Sequence, residues 1–117
     1  MAIYIKLKKE FNIQEKLKEI IMNDSSSRWV MDGENDLTLA YSDLLYHAWI
    51  RIKQTDKSST DVYFVIVAST QYPMTTLLYA VYHSQLVELL LTYFDSHIEN
   101  LKVFPLLQKD LDVFQTK

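Results

Sequence analysis

The stretch Pro73–Glu99, PMTTLLYAVYHSQLVELLLTYFDSHIE, decides the fold. Proline opens it at a position where a missing N–H costs a helix nothing. Neither glycine nor a further proline interrupts the next 26 residues. Apolar residues (Leu77, Leu78, Tyr79, Ala80, Val81, Tyr82, Leu86, Val87, Leu89, Leu90, Leu91, Tyr93, Phe94 and Ile98) cover far more than one stripe. A surface helix needs an apolar arc of only ~100° to dock on a sheet. The pattern therefore predicts one long helix that must be covered on more than one side, by its own fold and by a neighbour.

At 100° per residue, Ser84, Gln85, Glu88, Thr92, Asp95, Ser96 and Glu99 form the wet edge of this helix, and His83 and His97 fall on the apolar side. The two histidines are 14 positions apart, about 21 Å along a helix, too far to share a ligand. Each reads either as a hydrogen-bonded core or interface histidine or, for His83, as a titrating group in a pocket or dimer seam.

Outward from the helix, Val62–Ala68 is almost continuously apolar and β-branched or aromatic, the pattern of a central strand buried on both faces. Before it, a strand is predicted from about Leu45 through Lys53, with His47, Trp49, Arg51 and Lys53 on one face. Asp32-Gly33 between Arg28–Met31 and Leu37–Tyr41 reads as a hairpin, with Gly33, the only glycine of the chain, taking a positive φ. At the N-terminus Ile3, Ile5 and Leu7 alternate with Tyr4, Lys6 and Lys8 as a half-buried strand. Asn12 and Glu15 make a capping box for a helix with Ile13, Leu17, Ile20 and Ile21 on one stripe. After Glu99, Leu101, Val103 and Phe104 suggest a short extra strand, and Leu107, Leu111 and Phe114 a docking turn of helix. The order is β-α-β-β-β-β-α plus a tail. It gives a single α+β domain (1–117): an antiparallel sheet of about four to five strands, an N-terminal amphipathic helix and one long C-terminal helix.

Composition sets the outer limits. A chain of 117 residues, 49% hydrophobic and 23% charged, builds a core without disulfides or metals. The absence of cysteine removes thiolate catalysis and cysteine-ligated metal sites. No apolar run marks a signal peptide or a membrane span, since His83, Ser84, Gln85 and Glu88 break the best candidate. These features predict a soluble, cytoplasmic protein. The net charge of −3 and the mixing of Lys6, Lys8, Lys9, Lys16 and Lys18 with Glu10, Glu15 and Glu19 argue against a nucleic-acid groove.

Motifs for chemistry are missing. One glycine cannot cradle a phosphate, and neither a nucleophile elbow nor a metal-binding histidine pair occurs. The acidic loop Asp32–Asp36 has oxygen donors but not the spacing of a calcium loop, and reads as a polar hairpin turn. The sequence therefore predicts a non-enzymatic interaction or accessory protein with no cofactor or metal. It is expected to form a homodimer through the long helix or a sheet edge, with Leu86 and Leu90 at or near that surface. Two alternatives remain open. One is a pocket between sheet and helix for a small apolar or aromatic ligand, lined by Trp49, Tyr79, Tyr82 and His83; His47, on one strand face with Trp49 and Arg51, is a candidate for a protein interface. The other is an acidic inhibitor or immunity-type protein.

Overall fold

The computed structural model describes residues 3–24, 27–41, 43–54 and 59–104. Strand β1 (Ile3–Leu7) leads to helix α1 (Ile13–Asn23), the hairpin β2 (Trp29–Met31) and β3 (Leu37–Leu39), then β4 (Ala48–Gln54) and β5 (Asp61–Ala68). Helix α2 (Thr76–Phe94), a 3₁₀ turn (Asp95–His97) and strand β6 (Ile98–Val103) follow. The class is α+β, as the element order implies. The sheet has six strands, all antiparallel, in the order β2-β3-β4-β5-β1-β6.

The local signals explain most of these elements. Asn12 Oδ1 accepts the Glu15 N–H at 3.3 Å and starts α1, whose Ile13, Leu17 and Ile21 are buried. Strand β5 sits inside the sheet, paired with β4 through Ile50↔Ile66 and with β1 through Ile5↔Val62. Ile3, Ile5, Ile50, Phe64 and Ile66 join Ile13, Leu17, Tyr82, Leu86 and Leu90 in one core, so both helices cover the same face of the sheet. Trp49, Val65 and Val67 are buried outside that core, on the opposite face.

Four readings are corrected. The long helix begins at Thr76, not Pro73, because Thr75 Oγ1 accepts the Leu78 N–H at 3.1 Å and caps it. It ends at Phe94, because Ile98–Val103 leaves the helical path to pair with β1, from Ile3↔Val103 to Leu7↔Ile98. Gly33 has no positive φ; Asn35 takes it (63°), with its N–H on Asp32 O at 3.0 Å. Strand β4 starts at Ala48 rather than near Leu45. Leu44 and Leu45 N–H both close on Tyr41 O at 2.9 and 2.8 Å, which winds this segment into a turn and leaves His47 off the strand.

Residues 55–58, between the two predicted strands, and the docking turn at Leu107, Leu111 and Phe114 lie outside the described residues. Among the described residues, no helix is long and apolar enough to cross a membrane.

Candidate functional site

Of the residues expected to line a ligand pocket, Tyr79 and His83 touch each other, while Trp49 stacks on another ring, as does the interface candidate His47. Leu86 and Leu90, expected at or near the dimer surface, are instead fully buried with Tyr82 in the core, because all three face the sheet and fill the space between it and α2. The Tyr82 hydroxyl donates to Leu44 O (2.8 Å), lies 3.1 Å from Thr38 Oγ1, and accepts the Leu39 N–H at 3.4 Å. Thr38 Oγ1 in turn accepts the Tyr46 N–H at 3.1 Å. A chain of donors thus runs from Tyr46 through Thr38 and Tyr82 to Leu44, and burial pushes the Tyr82 phenol pKa up. Trp49 stands on the other side of the sheet, stacked on Tyr46 at 6.1 Å. His47 stacks on Tyr72 with ring centres 3.6 Å apart. His83 is buried, its Nδ1 2.7 Å from Tyr79 O and its ring edge-on to that of Tyr79. His97 is exposed, against the wheel's assignment, and stacks on Phe11 at 5.1 Å.

What the core leaves outside is an ordered line on α2. Leu77 is 74% and Leu91 45% exposed, Ala80 and Ser84 are exposed, and Val81 and Val87 are half-buried. The positions 77, 80, 84, 87 and 91 repeat at three and four, the spacing of a helix-pairing seam. Small residues occupy its middle: Ser84 turns its hydroxyl back to Val81 O at 3.1 Å, beside Ala80. Glu88 flanks the seam and is drawn aside by Arg28, whose Nη1 lies 2.9 Å from Oε1 and 3.0 Å from Oε2. The sequence held this signal. It is missed when every apolar residue of the helix is pooled, because the seam appears only after those facing the sheet are subtracted.

A second feature lies at the β2 edge of the sheet. A groove of about 520 Å³ runs between α1 and β2, walled by Lys18, Ile21 and Met22 on the helix and Trp29, Val30 and Met31 on the strand. A smaller cleft of about 260 Å³, between α1 and α2, shares Trp29 and is rimmed by Arg28, Glu88 and Tyr93.

The remaining polar groups serve the fold. Asp32 Oδ1 accepts N–H bonds from Glu34 (2.9 Å) and Asp36 (3.0 Å), forming the hairpin turn. Asp36, whose side chain is 2% exposed, takes a two-pronged bond from Arg51 Nε (3.2 Å) and Nη2 (2.9 Å). Tyr4 donates to Asp61, which also pairs with Lys6 at 3.2 Å. The bond to Asp61 pushes the Tyr4 pKa up to about 12, and the Tyr4 and Lys6 bonds hold the Asp61 carboxyl below its ordinary range. Among the described residues, no three His, Asp or Glu side chains converge on a metal position.

Comparison with protein-family models, curated proteins and solved structures finds no match to this chain.

Proposed function

We propose that this chain is a small cytoplasmic interaction or accessory protein that acts as a homodimer through α2. The observation that carries the reading is the seam of Leu77, Ala80, Ser84 and Leu91, all exposed, with the half-buried Val87 in line with them. An isologous contact must place one surface against itself across a two-fold axis. In an antiparallel pairing centred on Ser84, Leu77 of one copy meets Leu91 of the other, Val81 meets Val87 and Ser84 meets Ser84, while Ala80 lies across from Glu88, whose carboxylate Arg28 draws to the side of the seam. Large side chains close the two ends, and small ones at the centre let the helices approach.

The sheet edges support the choice of helix over strand pairing for the dimer. Strand β6 carries Glu99 and Lys102, and charge on an edge strand discourages a second sheet from joining it. Strand β2 spans only Trp29–Met31, too short to hold two domains by main-chain bonds alone.

A single helix pair buries an area at the low end of specific interfaces, below ~1,200 Å² in total, so the association is concentration-dependent. Light scattering behind a sizing column tests the reading. The weight-average mass is expected to climb toward twice the 13.8 kDa chain mass as loading rises into the hundreds of micromolar. A constant 13.8 kDa across that range contradicts it.

A further inference from the structure

We propose that Arg28 is the positioning residue of the α2 seam. By holding the Glu88 carboxylate at the flank, it lets a second copy of this chain pack against the helix. This rests on the α2 pairing proposed above and deepens it, by naming the residue that regulates that surface.

Helix geometry creates the need for it. Between Leu77 and Leu91, Glu88 is the only Asp, Glu, Lys or Arg. It lies about 20° around the helix from Leu77 and about 40° from Ser84, at the shoulder of the seam. In the antiparallel register it stands across from Ala80, whose methyl group neither pairs with a carboxylate nor shields it. The two-fold axis brings two such carboxylates into one contact. Taking a charge out of water without a partner is strongly unfavourable, so a carboxylate lying over the seam opposes the pairing.

The structure meets that need from a distant part of the chain. Arg28 Nη1 lies 2.9 Å from Oε1 and 3.0 Å from Oε2 of Glu88, and 3.2 Å from Gln85 Oε1. Gln85 sits about 80° around the helix from Leu77, beyond Glu88 on the side away from Ser84. The guanidinium therefore draws the carboxylate away from the seam. Arg28 is itself held in place. Its carbonyl accepts the Ala40 N–H at 2.7 Å. The next residue, Trp29, is buried, with its ring edge-on to that of Tyr82 at 5.9 Å. The hairpin and the core thus set where the guanidinium reaches α2.

The effect falls on association and not on the fold. The side chains of Arg28 and Glu88 are 50% and 55% exposed in the single chain, a setting in which an ion pair adds little stability. Charges at a contact act more on which surfaces can meet. With the pair formed, the flank carries no net charge and Ala80 of the second copy faces no bare carboxylate. Arg28, Gln85 and Glu88 also line the cleft of about 260 Å³ between α1 and α2, so the cleft and the seam share this pair.

Sedimentation equilibrium of the full chain tests this with three proteins: the wild type, Arg28→Gln, and Arg28→Gln combined with Glu88→Gln. Arg28→Gln leaves the carboxylate at the seam without its counter-charge, and should raise the dimer dissociation constant at least about tenfold. Removing that charge as well should restore association to within about threefold of the wild type, a rescue that a merely structural role for Arg28 does not produce. The melting temperature of dilute Arg28→Gln protein should move by no more than a few degrees, because the lost pair is exposed. Two results would overturn the proposal while leaving the α2 pairing intact. One is a wild type that dimerises and an Arg28→Gln variant that does so equally tightly. The other is a weakened Arg28→Gln dimer that Glu88→Gln does not restore, which would make Arg28 a direct contact of the partner copy. A wild-type chain of constant mass at every loading removes the pairing itself, and this inference with it.

Discussion

Leu77 and Leu91 stand about four turns apart on one line of α2, both exposed, with Ser84 midway between them. The rest of the helix spends its apolar surface on the sheet. Tyr82, Leu86 and Leu90 vanish into the core, and Tyr79 is half-buried. The demand for an outside partner thus narrows from a whole helix to one seam. Leu77→Glu or Leu91→Glu should raise the dimer dissociation constant at least about 30-fold, since the interface loses apolar contacts worth roughly 2 kcal/mol in all across the axis. Leu77 is 74% exposed in the single chain, so Leu77→Glu should leave the melting temperature of dilute protein nearly unchanged. Sedimentation equilibrium reads the first effect and dilute thermal melting the second.

Tyr82→Phe keeps the ring and removes the hydroxyl that joins Leu44, Thr38 and Leu39. Leaving these buried groups short of a partner costs about 1–3 kcal/mol. Calorimetry should show the melting temperature falling by roughly 5–10 °C.

The Tyr4–Asp61 pair gives two pH limbs of opposite sign. The Asp61 carboxyl is held below its ordinary range, so its contribution is present above the unfolded carboxylate value and disappears as pH falls through the folded one. The Tyr4 phenol is pushed up to about 12. Its contribution is present below the unfolded value near 10 and is lost as pH climbs toward the folded value. Asp61→Asn should bring the Tyr4 titration back toward 10, as followed by tyrosinate absorbance, and flatten the acid limb of stability.

Gly33 and Asn35 should respond oppositely to alanine. A Cβ on Gly33 meets nothing within 4 Å and its φ is not positive, so Gly33→Ala should stabilise by about 0.4–1 kcal/mol. Asn35 sits at φ 63°, so Asn35→Ala should destabilise by roughly 1 kcal/mol. Urea midpoints of the two variants measure both.

These two residues also mark how far the sequence could be read. Asp-Gly announced the hairpin, but which residue took the left-handed conformation depended on Asp32 bonding forward to Glu34 and Asp36. The order of elements along the chain and the presence of both helices followed from periodicity, because Ile3, Ile5, Ile13, Leu17, Val62 and Phe64 all obey the spacing of their element, whereas the sheet order with β1 between β5 and β6 did not. The turn before β4 was not legible. It depends on Tyr46 at φ 62°, held by its N–H on Thr38, a contact eight positions away. Strand β6 was legible in its second half, where Leu101 and Val103 suggested it, but not at its start: Ile98 and Glu99 continue a helical pattern, and only pairing with β1 draws them into the sheet. The candidate surfaces were less legible than the fold. A seam or an edge is defined by what the core does not use, and that requires the packing to be known first.

The most direct measurement of the central claim uses the lack of native cysteine. Ser84→Cys places one thiol per chain on the proposed two-fold axis, where the Cα atoms of a close helix pair fall within the ~4.4–6.8 Å span of a disulfide. Mild oxidation at concentrations where the dimer is populated should convert the protein almost completely to a disulfide-linked dimer, and Leu77→Glu in the same chain should abolish the conversion. A Ser84→Cys protein that stays monomeric under oxidation, or that cross-links equally well with Leu77→Glu present, contradicts the account.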